Sequence, residues 1–327
     1  MTQRLRVRRS EAQRSGAIDA VRVLGIIAVV AGHVFDNMFV ALGLYTWHVP
    51  VFFFLAGYLW KTGRTFKDSF NSRVQTLMVP YAVWLLLIAV PFLGAMVLLR
   101  KFDLSDLLPL LLGGSYLGRP FSAFWFITAL FVAGLLFHAL RKLSVTAQWV
   151  LVGLGVLVAS VGGHLLAAIP LSIGIAVPSV VFMAAGALAK SVRGGISHPA
   201  LLGVLLLAAS AVLIVSRLSA PLDMKSGNFG TPVLSMVVAT AISFGLVLIA
   251  ESASPKLGAF FNSYMTTLAL CGLMVIFSHS FFIWVLTLVS LGEWPVFLIS
   301  LVVPWAAALV VYRTKLAPPL LGAKKRA

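Results

Sequence analysis

Ten apolar runs of about membrane length follow one another along this 327-residue chain, and little sequence is left over between them. They cover approximately residues 20–40, 45–61, 76–99, 121–140, 147–167, 170–189, 199–217, 231–250, 264–289 and 294–313. A helix of about 20 apolar residues crosses the hydrocarbon core, where every backbone group must find its partner within the segment. The chain is therefore expected to be all-α, a polytopic membrane helical bundle of about ten transmembrane helices. Hydrophobic residues make up 61% of the chain and charged residues 10%, which excludes an ordinary soluble domain. A transmembrane barrel would show short alternating segments, and none occur. Pro50 in the second span, Pro178 in the sixth and Pro304 in the tenth are expected to kink or break their helices.

Charge sets the orientation. With the N-terminus inside, the cytoplasmic side collects the tail through Arg22, Lys61 to Arg73, Arg141 and Lys142, Lys190 and Arg193, Lys256, and Arg313 to Arg326. Of the 25 basic residues, 20 then lie inside, and only Arg100, Lys101, Arg119, Arg217 and Lys225 lie outside. That bias implies N-in and C-in ends. The expected organisation is a basic tail over residues 1–19, a transmembrane domain over 20–313 and a second basic tail over 314–327. The run Arg4, Arg6, Arg8, Arg9 and Arg14 resembles the start of a signal peptide, but the apolar stretch behind it is too long, so it reads as an uncleaved first span. The net charge of +16 flanks the spans, which suits anionic lipid headgroups and not nucleic acid. Cys271 is the lone cysteine, so no intramolecular disulfide and no cysteine zinc site is expected.

A few polar residues interrupt this apolar background. Arg22 and His33 stand on one face of the first span, about 16 Å apart along a helix, with Asp19 and Asp36 extending the stripe. Ionisable groups at membrane depth suggest function by default, although snorkelling and interhelical packing fit the spacing equally well. His279 lies at a matching depth in the ninth span, between Ser278 and Ser280. Two imidazoles at one depth suit acid–base chemistry, and His279 also suits a simple interhelical hydrogen bond. Trp47 and His48 open the second span at the outer interface, where Trp47 reads as a belt residue and His48 either faces a cavity or is solvated. The cluster Lys61, Arg64, Lys67 and Arg73 is either a positive-inside loop or a clamp for an anionic cofactor. His138, His164 and His198 read as solvated residues at span ends, and Gly162–Gly163 and Gly194–Gly195 as turns.

In order and spacing these motifs resemble the acyltransferase family 3 membrane proteins, particularly the branch similar to fucose 4-O-acetylase. Arg22 to His33 fits the basic residue, ten positions and histidine of the family's first helix. Pro50, Phe52 to Phe54 and Ala56-Gly57-Tyr58 fit its second helix, with Ala56 where serine is common. Arg73 ahead of Pro80-Tyr81, the pair Trp125-Phe126 and His279 fit its later motifs. The resemblance implies transfer of an acyl group, usually acetyl, from cytoplasmic acetyl-CoA to a hydroxyl of an extracytoplasmic glycan or glycolipid. The implied catalytic set is His33, as base or acyl carrier, with His279 and Asp36. Arg22, Arg73, Lys61, Arg64 and Tyr81 would hold the donor, and His48, Trp125 and Asn228 would meet the acceptor. No metal is expected, any second step would fall to a partner of envelope biosynthesis, and the bacterial cytoplasmic membrane is the expected location. A proton-coupled or solute transporter with a midplane His/Arg site, disfavoured by the missing internal repeat and the cytoplasmic basic cluster, and a non-catalytic lipid-binding or assembly protein are the competing classes.

Overall fold

The computed structural model describes residues 16–323. Arg4 to Arg14 of the expected N-terminal tail and Lys324, Lys325 and Arg326 of the C-terminal one lie outside the described residues. The helices are α1 (Gly16–Val34), α2 (Met38–Leu44), α3 (Pro50–Tyr58), α4 (Phe66–Arg73), α5 (Val79–Leu98), α6 (Leu107–Leu112) and α7 (Phe124–Leu140). They continue with α8 (Val145–Ala167), α9 (Ile173–Val192), α10 (Pro199–Val215), α11 (Leu234–Leu288), α12 (Glu293–Val311) and α13 (Ala317–Leu321). Among the described residues there is no strand, only an isolated bridge between Asp223 and Asn228.

Each expected span is helical, but the lengths differ. Among the described residues, six helical stretches are long and apolar enough to cross a membrane, one of them running from α4 through a π turn at Val74–Met78 into α5. Helices α7 and α10 are apolar but shorter. The second expected span is helical only over the nine residues of α3, which rise about 13 Å. The eighth and ninth expected spans lie within the 55 residues of α11, which leaves helical geometry at Gly258 with φ 79°. Only glycine adopts that conformation without strain. Asn262 bridges the break, its amide donating to the carbonyls of Gly258 at 2.8 Å and Ser254 at 3.1 Å.

The second expected span is interrupted ahead of Pro50, as expected, but elsewhere the chain leaves helical geometry at glycines and not at the other two prolines. Pro178 lies within α9 and Pro304 within α12, whereas α8 departs from helical dihedrals at Gly162. Gly162–Gly163, expected as a turn, are thus inside a helix, and Gly163 abuts the backbone of Gly227. The first span also ends earlier than expected. Asn37 caps α2, its side-chain oxygen accepting from the Val40 amide at 3.0 Å, so α1 stops at Val34 and His33 falls in its last turn. At the far end of the chain, Trp84 Nε1 donates to the Leu320 carbonyl at 2.9 Å, and Ala317 and Leu321 are buried. Part of the expected C-terminal tail therefore belongs to the bundle.

Helix α1 packs along α11 and α12, and α3 lies against α9 and α11. The α3–α9 crossing rests on two glycines. A Cβ at Gly57 would overlap the Met183 carbonyl, and one at Gly186 would overlap the Phe54 carbonyl. Small residues at such crossings let backbones touch where no hydrophobic effect drives helices together. The Gly186→Val substitution should therefore separate α3 from α9 and cost about 1–3 kcal/mol, as overpacking does. Thermal unfolding in detergent, followed by size-exclusion fluorescence, should show a lower midpoint for this variant than for Ala187→Val beside it.

Candidate functional site

Parallel packing of α1 on α11 brings His33 to His279, with ring centroids 5.2 Å apart. The expected pairing of two imidazoles at one depth is therefore present. His279 is fully buried, and its Nδ1 lies 2.9 Å from the Val275 carbonyl. A carbonyl only accepts, so Nδ1 carries the proton and Nε2 keeps its lone pair. Ser280 Oγ lies 3.4 Å from that Nε2 and 2.8 Å from Ser122 Oγ, so a chain of polar atoms runs from the turn before α7 to the imidazole pair.

His33 forms part of the wall of a polar cavity of about 480 Å³, together with Asp36, Asn37 and Tyr45. Asp223, Asn228 and Arg119 close the cavity from two loops. Arg119 donates to the His33 carbonyl at 2.9 Å, and Tyr45 donates to the Gly32 carbonyl at 3.0 Å. Lys225 Nζ donates to the Leu117 carbonyl, which ties the two loops together. Burial pulls the Lys225 ammonium below the usual lysine range, and the nearby Asp223 carboxylate opposes that shift. On its other side His33 borders a narrow void of about 20 Å³ between Val29, Phe52, Trp125 and Phe126. His33 thus stands between a roomy polar space and a tight apolar slot.

The remaining expected residues are spread over several places. Asp36 and Asn228 join His33 at the cavity, and Trp125 lines the slot. His48 does not line the cavity. It is buried behind Tyr45, ring centroids 4.9 Å apart, with Nδ1 donating to the Leu44 carbonyl at 2.8 Å. The solvated interfacial position considered for His48 is therefore replaced by a packed one. Tyr81 packs among the aromatic rings of Phe124 and Phe277, 5.3 and 6.4 Å away. Arg22 pairs with buried Asp19 at 2.7 Å, one helical turn away.

Arg73 anchors the opposite end of the bundle. Its guanidinium lies 5.9 Å over the Trp60 ring and fills the space that the missing side chain of Gly134 leaves on α7. Lys61 and Arg64 are exposed on the neighbouring loop. His138, expected to be solvated, is instead buried edge-on to Trp60 and Phe66, and its Nδ1 has no hydrogen-bond partner among the described residues. Beside Trp60, Tyr58 donates to Glu251 at 2.8 Å, Arg193 pairs with the other Glu251 oxygen at 2.6 Å, and Lys190 lies 4.8 Å over the Tyr58 ring.

Sequence reasoning did not find Arg119, Lys225, Tyr45, Asp223, Ser122, Glu251 or Lys190. Arg119 and Lys225 were readable only as loop charges, although cations are scarce on the His33 side of the bundle. Truncation of Glu251 should strand Arg193 and the Tyr58 hydroxyl together. Glu251→Ala is expected to lower stability by about 1–3 kcal/mol, the scale of lost hydrogen bonds to a charged group. A smaller loss for Glu251→Gln, which keeps an acceptor for Tyr58, would be read in the same thermal unfolding experiment.

A family model described as an acyltransferase domain matches residues 15–313, which include both imidazoles, the cavity and the Arg73 end. No curated protein and no solved structure matches the chain. With six membrane-length helices among the described residues and a match over nearly its whole length, the chain belongs to acyltransferase family 3 and is a multi-pass membrane acyltransferase.

Proposed function

We propose that the protein transfers an acetyl group from cytoplasmic acetyl-CoA to a hydroxyl of an extracytoplasmic glycan or glycolipid, with His33 at the reacting centre. The observation that carries this reading is the position of His33 between the polar cavity and the apolar slot, in ring contact with His279. A donor arriving through the bundle and an acceptor arriving from the cavity would meet at one imidazole. The positive-inside bias favours placing the Arg73 end in the cytoplasm of a bacterial cell. Parallel packing of α1 with the second half of α11 adds support, because it requires an odd number of crossings between them. Helices α3, α5, α7, α8, α9, α10 and the first half of α11 would supply such a number if each of them crosses.

In this mechanism the acceptor oxygen attacks the thioester carbonyl carbon as His33 takes the hydroxyl proton. The carbon–sulfur bond then breaks, and the proton passes to the departing CoA thiolate. Arg119 and Lys225 place positive charge beside the oxyanion that forms on the way. His279 holds the facing imidazole in place, with its own tautomer fixed by Val275. Arg73, with exposed Lys61 and Arg64 nearby, suits the CoA phosphates, and the aromatic rings of Trp60 and Phe66 suit its base. Asp36 and Asn228 suit hydroxyl-rich acceptors such as the sugars implied by the fucose 4-O-acetylase-like resemblance. The slot has room for little more than a two-carbon acyl group, which favours acetyl over longer chains.

Three variants test the reading in purified, reconstituted protein supplied with labelled acetyl-CoA and an envelope extract. His33→Ala should lower transfer about 10²- to 10⁴-fold while CoA binding persists. Gly134→Leu should displace Arg73 and raise the acetyl-CoA KM about tenfold, a loss of about 1.4 kcal/mol, with little change in kcat. Phe126→Ala should widen the slot and let butyryl-CoA compete with acetyl-CoA. Wild-type transfer by His33→Ala would remove His33 from the reacting centre, whereas no transfer by the wild type together with no CoA binding, or counterflow of a solute without acyl-CoA, would favour the transporter class instead.

A further inference from the structure

Helix α2 presents two faces to two different spaces. Asn37, Ala41 and Tyr45, spaced four apart, face the polar cavity that contains His33. Met38 and Leu42 turn the other way and, with Trp47, wall an apolar groove of about 440 Å³. Ala211 and Ile214 of α10 form the opposite wall, and Arg217 closes one end. The groove opens sideways, beside the α2 residue Phe39, which is 81% exposed and stands where lipid would touch the bundle. Asn37 and Met38 are adjacent, so cavity and groove meet at the start of α2.

Arg217 decides what fits this groove. It is exposed, and its guanidinium donates to the Met38 sulfur at 2.7 Å, a weak acceptor. Among the described residues no carboxylate forms an ion pair with it. A guanidinium at the end of an apolar, membrane-facing groove suits a phosphate joined to a hydrocarbon chain. The cavity beyond α2 sets Asp36 and Asp223 against Arg119, and that guanidinium already donates to the His33 carbonyl, so the cavity offers a phosphate no net positive charge while its carboxylates accept hydrogen bonds from neutral hydroxyls. The order of chemistry along the surface is therefore apolar chain, phosphate, then hydroxyl-rich head.

We infer that the acceptor is a lipid-linked glycan: its hydrocarbon chain lies in the groove between α2 and α10, its phosphate meets Arg217, and its sugar reaches His33 past Asn37 and Met38. This rests on the acyltransfer reading given above. The groove would then select acceptors still attached to the membrane and leave released glycans aside.

The test uses the full chain in phosphatidylcholine vesicles, labelled acetyl-CoA and two acceptor pools from one bacterial envelope. The first pool is the organic-soluble lipid-linked glycans. The second is the same glycans released from their lipid by mild acid. Label should enter the first pool about tenfold faster, the scale of one lost charge-assisted contact. Arg217→Gln and Ala211→Trp should each remove most of that preference without changing the acetyl-CoA KM. Both sites are exposed, so folding is not at stake, and Leu98→Trp, at a site 85% exposed and absent from the groove lining, is the control. Equal labelling of both pools would overturn the inference. So would groove variants that behave like Leu98→Trp, since the groove would then hold only bulk lipid. His33-dependent labelling of the released glycans alone would keep the acyltransfer reading and remove the lipid-linked acceptor. The absence of His33-dependent label from both pools would remove both.

Discussion

The contact between α1 and the second half of α11 holds the site together. Gly16 meets Asn262, Ile26 meets Gly272 and His33 meets His279, each pair offset by the same interval in sequence. A constant offset means that the two helices run parallel and in register over most of α1. In a membrane such register cannot come from the hydrophobic effect, because lipid tails are as apolar as the side chains they would replace. It comes from shape. Gly272 leaves room for Ile26, and Gly16 lets Asn262 come close while that residue bridges the break at Gly258. The depth of the imidazole pair is thus set well below it, at the other end of α1.

From that register follows a division of labour by polarity. The residues around Arg73 form a ring of aromatics and cations at one end, and the loops carrying Arg119 and Lys225 form a polar lid at the other. Between them the bundle is apolar, so charges there act through a low-dielectric medium and are not screened as they would be in water. Water reaches His33 from the cavity side and meets tight aromatic packing on the other. In the proposed acyl transfer, a thioester at this boundary would be shielded from hydrolysis on one side, while the acceptor hydroxyl would have open access on the other.

The residues legible in the sequence share one property: they break an apolar pattern. Arg22, His33 and His279 stood out because polar groups at membrane depth are costly, and the depth match of the two histidines could be counted along their spans. His48 and His138 misled or stayed ambiguous, because a residue near a span end carries no record of whether a loop folds over it. The end of α1 was set too far along for a related reason. Residues 35–40 look apolar enough to continue a helix, but Asn37 caps the next one. Arg119, Lys225 and Glu251 could not be found at all, since each reaches its partner across a long stretch of chain. The glycines that matter most, Gly57, Gly134 and Gly186, were equally silent apart from Gly57, because what they make room for is a tertiary neighbour.

The bond from Arg119 to the His33 carbonyl has a wider meaning. The last carbonyls of any helix lack partners within it, and they are usually satisfied by residues close in sequence. Here a side chain 86 positions away supplies the cap. The final turn of α1 is therefore stapled shut by a loop that also covers the cavity. A displacement of that loop would break the Arg119 bond and leave the His33 carbonyl without its cap. The cover of the cavity and the last turn that aims the His33 imidazole thus share one hydrogen bond.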